Sequence, residues 1–235
     1  MPRPANGERR ADVAFVIPIY NEEPVVGSVV RKVLAQYAHV ICVNDASTDG
    51  SAAAVAGSGA VIVQHPFNMG QGAALQTGLE FVRLLPGLRW VVTFDADGQH
   101  SLDDVGRMLA VAEESGADVV LGSRFLGAEP QGMPRLKRAA LRTAIRFSNA
   151  VSGLRLSDTH NGLRVLSRRV VNEIQLTTPD MSHASEILEI IAARQYTYQE
   201  VPVTIAYTDY SRSKGQSVIN AINIAFDTLL RKVLR

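Results

Sequence analysis

Two carboxylates, Asp95 and Asp97, end the apolar run Val91-Val92-Thr93-Phe94 and are followed by Gly98-Gln99-His100. Side chains at i and i+2 of an extended chain point to the same side. Two negative charges held that close repel unless a cation lies between or beside them. The pair therefore reads in one of two ways: a cation site at the mouth of a core strand, or an acidic turn in which one Asp caps a helix starting near Ser101. Two further loops carry similar residues, Pro18-Ile19-Tyr20-Asn21-Glu22 and Asn44-Asp45-Ala46-Ser47-Thr48-Asp49-Gly50.

Each of these loops follows a short β-branched run. Strands are expected at 13–17, 39–43, 60–64, 90–94 and 118–121, with helices at about 24–36, 71–84 and 102–115 between them. That alternation predicts an α/β fold, a mostly parallel central sheet with helices on both faces. Such sheets bind ligands at the C-terminal ends of their strands, where all three loops fall. The second half is less regular. A Gly/Pro-rich loop at 126–134 leads to a basic helix near 135–151, the turn "SDTHNG", a helix near 182–194 and the extended "YTYQEVPVTIAY". The loop "TDYSRSKGQS" then precedes a last helix. The expected organisation is a flexible tail over 1–11, one domain over 12–217 (nucleotide-binding half 12–124, acceptor-side half 125–217) and an amphipathic helix over 218–235.

Composition narrows the function classes. With 235 residues, 46% hydrophobic and 20% charged, the chain is an ordinary globular one. A net charge of +1 offers no general field for nucleic acid. The lone Cys42, inside Val40-Ile41-Cys42-Val43, reads as a core residue of a reducing compartment. The polar start "MPRPANGERR" lacks the apolar run of a signal peptide, and no stretch of 18 apolar residues occurs. A cytoplasmic protein, soluble or peripheral at a membrane, is expected. Neither G-x-G-x-x-G nor G-x-x-x-x-G-K-[ST] is present, which argues against dinucleotide-binding and P-loop chemistry. The glycines of "NMGQGAALQTG" are read instead as permitting close packing at a helix start.

Taken in order and spacing, "VIPIYNEE", "VNDASTDGS", "NMGQGAALQTGLE", "FDADGQH", "VVLGSRF", "DTHNGLRVLSRRVV", "SEILEIIAARQYTYQEVPV" and "SRSKGQS" resemble family-two glycosyltransferases of the GT-A fold. The resemblance covers about residues 12–217 and is nearest to the dolichyl- and polyprenyl-phosphate sugar transferase branch. It implies an inverting, metal-dependent hexosyl transfer from a GDP- or UDP-sugar. Asp97 would ligate Mg²⁺ or Mn²⁺ on the donor diphosphate, a hard oxygen-rich site. Asp95 would bind the ribose and support the metal through water, and Asp45 would accept the base N–H. Pro18, Tyr20 and Glu22 would line the nucleotide pocket, and Gln99 would contact the sugar or the metal's water shell. Arg124 and Arg212 match basic positions of the family, Arg212 on a loop closing over the diphosphate. Where the family often carries a Lys after the final Ser of that loop, Val218 stands here, and Lys214 is the substitute.

The acceptor is read from an absence. Relatives acting on sugar hydroxyls carry a Glu-Asp or Asp-Asp pair where this chain reads Met181-Ser182-His183-Ala184-Ser185-Glu186, with Glu186 at the glutamate position of the polyprenyl-phosphate branch. A phosphate is already ionised and needs no general base, so polyprenyl phosphate at the cytoplasmic membrane face is the expected acceptor. Asp158, His160 and His183 are the candidate bases if the acceptor is a hydroxyl of a glycan or glycolipid. Arg135, Arg138, Arg142 and Arg146 recur at helical spacing, and with Arg124 and Lys137 they suit anionic headgroups or phosphate. Two rivals of another class are a nucleotidyltransferase and a silent nucleotide-sugar binding module. The first would show a Gly-rich loop with Arg and Lys after the first strand, which "PIYNEEP" lacks; the intact Asp45, Asp95 and Asp97 argue against the second.

Overall fold

The computed structural model describes residues 8–126, 135–159 and 161–206. They contain the strands β1 (Arg10–Ile19), β2 (Tyr37–Asn44), β3 (Val61–Gln64), β4 (Trp90–Thr93), β5 (Val119–Ser123), β6 (Arg164–Ser167) and β7 (Tyr198–Pro202). The helices are α1 (Glu23–Leu34), α2 (Ser51–Val55), α3 (Gln71–Arg83), α4 (Leu102–Ser115), α5 (Arg135–Ser152), α6 (Arg168–Glu173) and α7 (His183–Ala193). The strands form one sheet in the order β3-β2-β1-β4-β6-β5-β7.

β1 lies between β2 and β4 and is parallel to both. Val13 through Ile17 are all fully buried, as an unbroken apolar run requires when both sheet faces are covered. Alternate side chains part to the two faces. Phe15 and Ile17 join Val26 and Val30 of α1 and Met108 and Leu109 of α4. Ala14 and Val16 join Leu75 and Leu79 of α3, Val170 of α6 and Ile187 of α7. Helices therefore cover both faces, as expected. α3 approaches β1 closely because Gly78 has no side chain; a Cβ there would collide with Val16 Cγ1.

Three elements differ from the sequence reading. α2, α6 and β6 were not anticipated, and β6 runs antiparallel between β4 and β5, with Val165 opposite both Val92 and Val120. Its four residues start with a charge, Arg164, and carry no alternation of their own. Both neighbouring strands, not local propensity, make the segment a strand.

The chain steps from β1 to β2 to β3 on one side and then crosses to β4 on the other. This reversal places the C-terminal ends of β1 and β4 at a topological switch, the usual ligand crevice of an open α/β sheet. The N-terminal residues 1–7, His160, the loop at 207–217 with Arg212 and Lys214, and the expected helix over 218–235 lie outside the described residues.

Candidate active site

The turn after β4 is built around its two carboxylates. Phe94 N still bonds Val16 O, so the backbone stays tied to β1 up to the residue before Asp95. α4 is capped by Ser101, whose side chain accepts from Asp103 N at 3.2 Å, so neither Asp95 nor Asp97 is spent as its cap. Asp95 is held on both oxygens: Gln71 Nε2 of α3 donates to Oδ1 at 3.2 Å, and His100 Nε2 lies 2.9 Å from Oδ2. Gly162 closes a third side, since a Cβ there would overlap the carboxylate. Among the described residues Asp97 accepts one bond, from Gln99 N to Oδ1 at 3.0 Å.

The two carboxyls are driven apart in acidity. Burial opposes ionisation of Asp95, yet the His100 hydrogen bond and the positive charge of Arg164 nearby hold it below its ordinary range. Asp97 is pushed up to about 6 by burial, then by the Asp95 charge, with Glu22 adding to the repulsion. A half-buried pair of like charges is the environment that a cation relieves. Among the described residues no group of three or more His, Cys, Asp or Glu is arranged to hold a metal. Mg²⁺ or Mn²⁺ bound by one or two carboxylates with the rest of its shell from phosphate and water fits such a site.

Arg124, the residue after β5, is gripped by Asp158. Its Nε and Nη2 donate to the two carboxylate oxygens at 2.6 and 2.8 Å, and its own backbone N donates at 3.1 Å. Asp158 has no exposed side chain and is fastened below by Glu200, which accepts from the N–H groups of Ser157 and Asp158. Asp158 thus serves as the partner of Arg124, which leaves little room for it to act as a base. His183 is buried at the start of α7, with Nδ1 2.7 Å from the Asp180 carbonyl. Because a carbonyl only accepts, Nδ1 carries the proton; burial and the Arg164 charge hold the ring down at about 4, neutral at physiological pH.

The remaining expected residues divide. Asn21, between Tyr20 and Glu22, takes φ 54° and stitches the first loop to the second: its N donates to Ser47 Oγ and its Oδ1 accepts from Thr48 N. Pro18 is paired with Val43, and Tyr20 is 45% exposed at the rim. Asp45 is buried and already engaged: Met69 N and His65 Nδ1 on Oδ1, Gly70 N on Oδ2. It fastens the 65–70 loop to β2, and a base N–H would have to use what remains of Oδ2. Glu186 accepts from Thr177 N and Thr178 N, so it ties down the loop before α7. Arg135, Arg138, Arg142 and Arg146 lie on α5, with Arg142 and Arg146 exposed and Ala144 and Ile145 buried. Gln99 O accepts from Ala206 N at 3.0 Å, so the chain after β7 passes the Asp97 turn just before residue 207.

Three residues beside Asp95 had no assigned role from the sequence: Gln71, His100 and Arg164. Arg164 is 1% exposed on β6, with Nε and Nη1 buried and without hydrogen-bond partners among the described residues. A fully buried charge in "NGLRVLS" was the available signal, but its burial depends on the unanticipated strand. As for the glycines at 70–78, Gly72 N donates to Pro179 O at 2.7 Å; the start of α3 is committed to packing on the 178–180 loop, as the sequence reading expected.

A mostly parallel sheet with a switch beside β1, carrying an Asp-x-Asp turn at the mouth of β4, defines the GT-A fold of nucleotide-diphospho-sugar transferases. The comparisons agree. The profile of glycosyl transferase family 2 matches residues 14–175. A dolichyl-phosphate hexose transferase of Haloferax volcanii is 34% identical over 197 residues, 82% of each chain. A UDP-N-acetylglucosamine–dolichyl-phosphate N-acetylglucosaminyltransferase of Methanococcus voltae is 28% identical, covering 94% of this chain and 96% of the relative. Among solved structures, glucosyl-3-phosphoglycerate synthase of Mycobacterium tuberculosis, in complex with Mn²⁺, UDP-glucose and phosphoglyceric acid, superposes with a TM-score of 0.64. At 17% identity, over 92% of this chain and 80% of that one, it speaks for the fold alone. The chain belongs to glycosyl transferase family 2. It is a glycosyltransferase that takes its sugar from a nucleotide diphosphate donor, which sets aside the nucleotidyltransferase and the silent binding module.

Proposed function

We propose that this chain transfers a hexose from a GDP- or UDP-sugar, with Mg²⁺ or Mn²⁺, to an acceptor that carries a phosphate. The observation behind the metal is the Asp95–Asp97 turn, where burial and like charge raise Asp97 to about 6. When bound, the cation neutralises charge developing on the departing nucleoside diphosphate. Asp97 would ligate it, while Asp95, immobilised on both oxygens, supports the site. Arg124, oriented by Asp158, would supply positive charge toward the diphosphate. Pro18, Tyr20, Glu22 and Gln99 would line the donor pocket, so residues 12–124 form the nucleotide half and 125–217 the acceptor side. Arg212 and Lys214 follow soon after Ala206, which is bonded to Gln99, and that attachment supports their reaching the donor.

Two acceptor readings remain, each with its own support. The first is a hydroxyl of a phosphorylated molecule: phosphoglyceric acid accompanies the donor in the solved neighbour, whose likeness to this chain is one of fold. The dolichyl-phosphate names of the two curated relatives favour attack by the phosphate oxygen of a polyprenyl phosphate. Within the described residues the local chemistry suits the second: Asp158 is committed to Arg124, and His183, at about 4, is a weak base at neutral pH. Lipid phosphate would also bring the chain to the cytoplasmic face of a membrane.

A donor panel separates these readings. Released nucleoside diphosphate is measured with GDP- and UDP-sugars, with Mn²⁺ or EDTA, and with polyprenyl phosphate, phosphoglycerate or a free sugar as acceptor. Metal-dependent release driven by polyprenyl phosphate supports the phosphate nucleophile; release driven by phosphoglycerate supports the hydroxyl. Release that EDTA leaves untouched would overturn the metal assignment.

A further inference from the structure

Asp95 is oriented by groups from three separate parts of the chain, and His100 is the one whose own bonding makes sense only through that task. Its side chain is 3% exposed, and its ring meets the Phe94 ring edge-on at 5.4 Å between centroids. Nε2 lies 2.9 Å from Asp95 Oδ2, while Nδ1 is buried with no partner among the described residues. A carboxylate oxygen is an acceptor, so in this contact Nε2 is the donor. A buried ring nitrogen without a partner is a cost that folding alone does not require; an aromatic hydrocarbon would fill the space beside Phe94 equally well.

We infer that His100 is a positioning residue for the metal-supporting carboxylate: its Nε2–H fixes Asp95 in the rotamer that the cation and donor meet. Gln71 holds the opposite oxygen and Gly162 blocks the alternative direction. The carboxylate is therefore set before any ligand arrives. Groups that orient a metal-binding side chain commonly account for about 10- to 100-fold in metal affinity. The inference rests on the metal reading proposed above, and its test is read as binding, without turnover.

The test uses the full chain and calorimetric titration with UDP and with GDP, each in Mn²⁺ and in EDTA; the ratio of affinities is the metal-dependent gain. Three variants are compared. His100→Phe keeps the ring packing and loses the donor. His100→Asn keeps an amide that stops short of the Nε2 position. His100→Gln places an amide N–H near Nε2. The gain should fall about tenfold or more in the first two and return to within about threefold of wild type in His100→Gln. Thermal unfolding identifies any variant that fails to fold, and either loss variant suffices alone. A wild-type gain in a folded His100→Phe or His100→Asn protein overturns the assignment, as does a His100→Gln protein that loses as much as they do. If wild type itself gains nothing from Mn²⁺ with either nucleotide, the metal reading fails, and this inference with it. That outcome is distinct from failure of the His100 assignment alone.

Discussion

At the residue scale, the function proposed here puts Asp97 under two opposed demands. A carboxyl raised from 3.8 to about 6 binds its proton more tightly folded than unfolded. Its contribution to stability is therefore full in acid below 3.8 and is lost as pH rises through about 6. With EDTA present, Asp97→Asn should remove that loss, and the variant should be about 1–3 kcal/mol more stable than wild type at pH 7. Turnover should move the other way, falling about a hundredfold or more, because a main electrostatic stabiliser is gone. Protons also compete with the cation for Asp97, so metal affinity should weaken as pH falls through about 6. Urea denaturation at pH 5 and 7 in chelator, set beside turnover in Mn²⁺, checks both signs. Near-wild-type turnover in the folded variant would falsify the metal role. The pair was visible in the sequence because two carboxylates at i and i+2 ended an apolar run. The clamp on Asp95 was not, because Gln71, His100 and Gly162 arrive from three separate parts of the chain. Asp45 shows the converse: its position matched a family motif, but only the fold shows Met69, Gly70 and His65 already bonded to it.

At the scale of elements, legibility followed the source of each element's stability. β1 and β2 carry their own apolar runs, and α3 and α4 their own amphipathic faces, so the sequence alone locates them. β6 does not: Arg164-Val165-Leu166-Ser167 becomes a strand because β4 and β5 leave a slot whose backbone groups need partners. That slot matters for the site, since Arg164 enters the interior there and its charge helps to keep Asp95 ionised. The contact of α3 with β1 is as demanding as the strand pairing. Gly78→Ala would press a methyl against Val16 at the centre of the sheet, and helix and strand could separate only by loosening the layer that also holds Leu75 and Leu79. The expected cost is about 1–3 kcal/mol, read as a lower denaturation midpoint. A midpoint equal to that of wild type would show that the packing at Gly78 is looser than the structure has it.

At the scale of the whole molecule, the open matter is how the chain meets its acceptor. No helix among the described residues is long and apolar enough to cross a membrane. α5 offers the charge: Arg142 and Arg146 are exposed, while Ala144 and Ile145 anchor the helix inward. Basic residues near an anionic bilayer contribute about 1 kcal/mol each, and salt screens that attraction. If the acceptor is polyprenyl phosphate, the chain should co-sediment with anionic vesicles at low salt, lose them as salt rises and ignore neutral vesicles. Changing Arg138 and Arg142 together to Glu should weaken the binding by about tenfold or more, since each reversal removes an attraction and adds a repulsion. The same variant should retain transfer to a soluble phosphorylated hydroxyl acceptor if that is the real substrate. No vesicle binding at low salt, together with efficient transfer to phosphoglycerate or a free sugar, would sink the lipid-phosphate reading and leave the hydroxyl acceptor in its place.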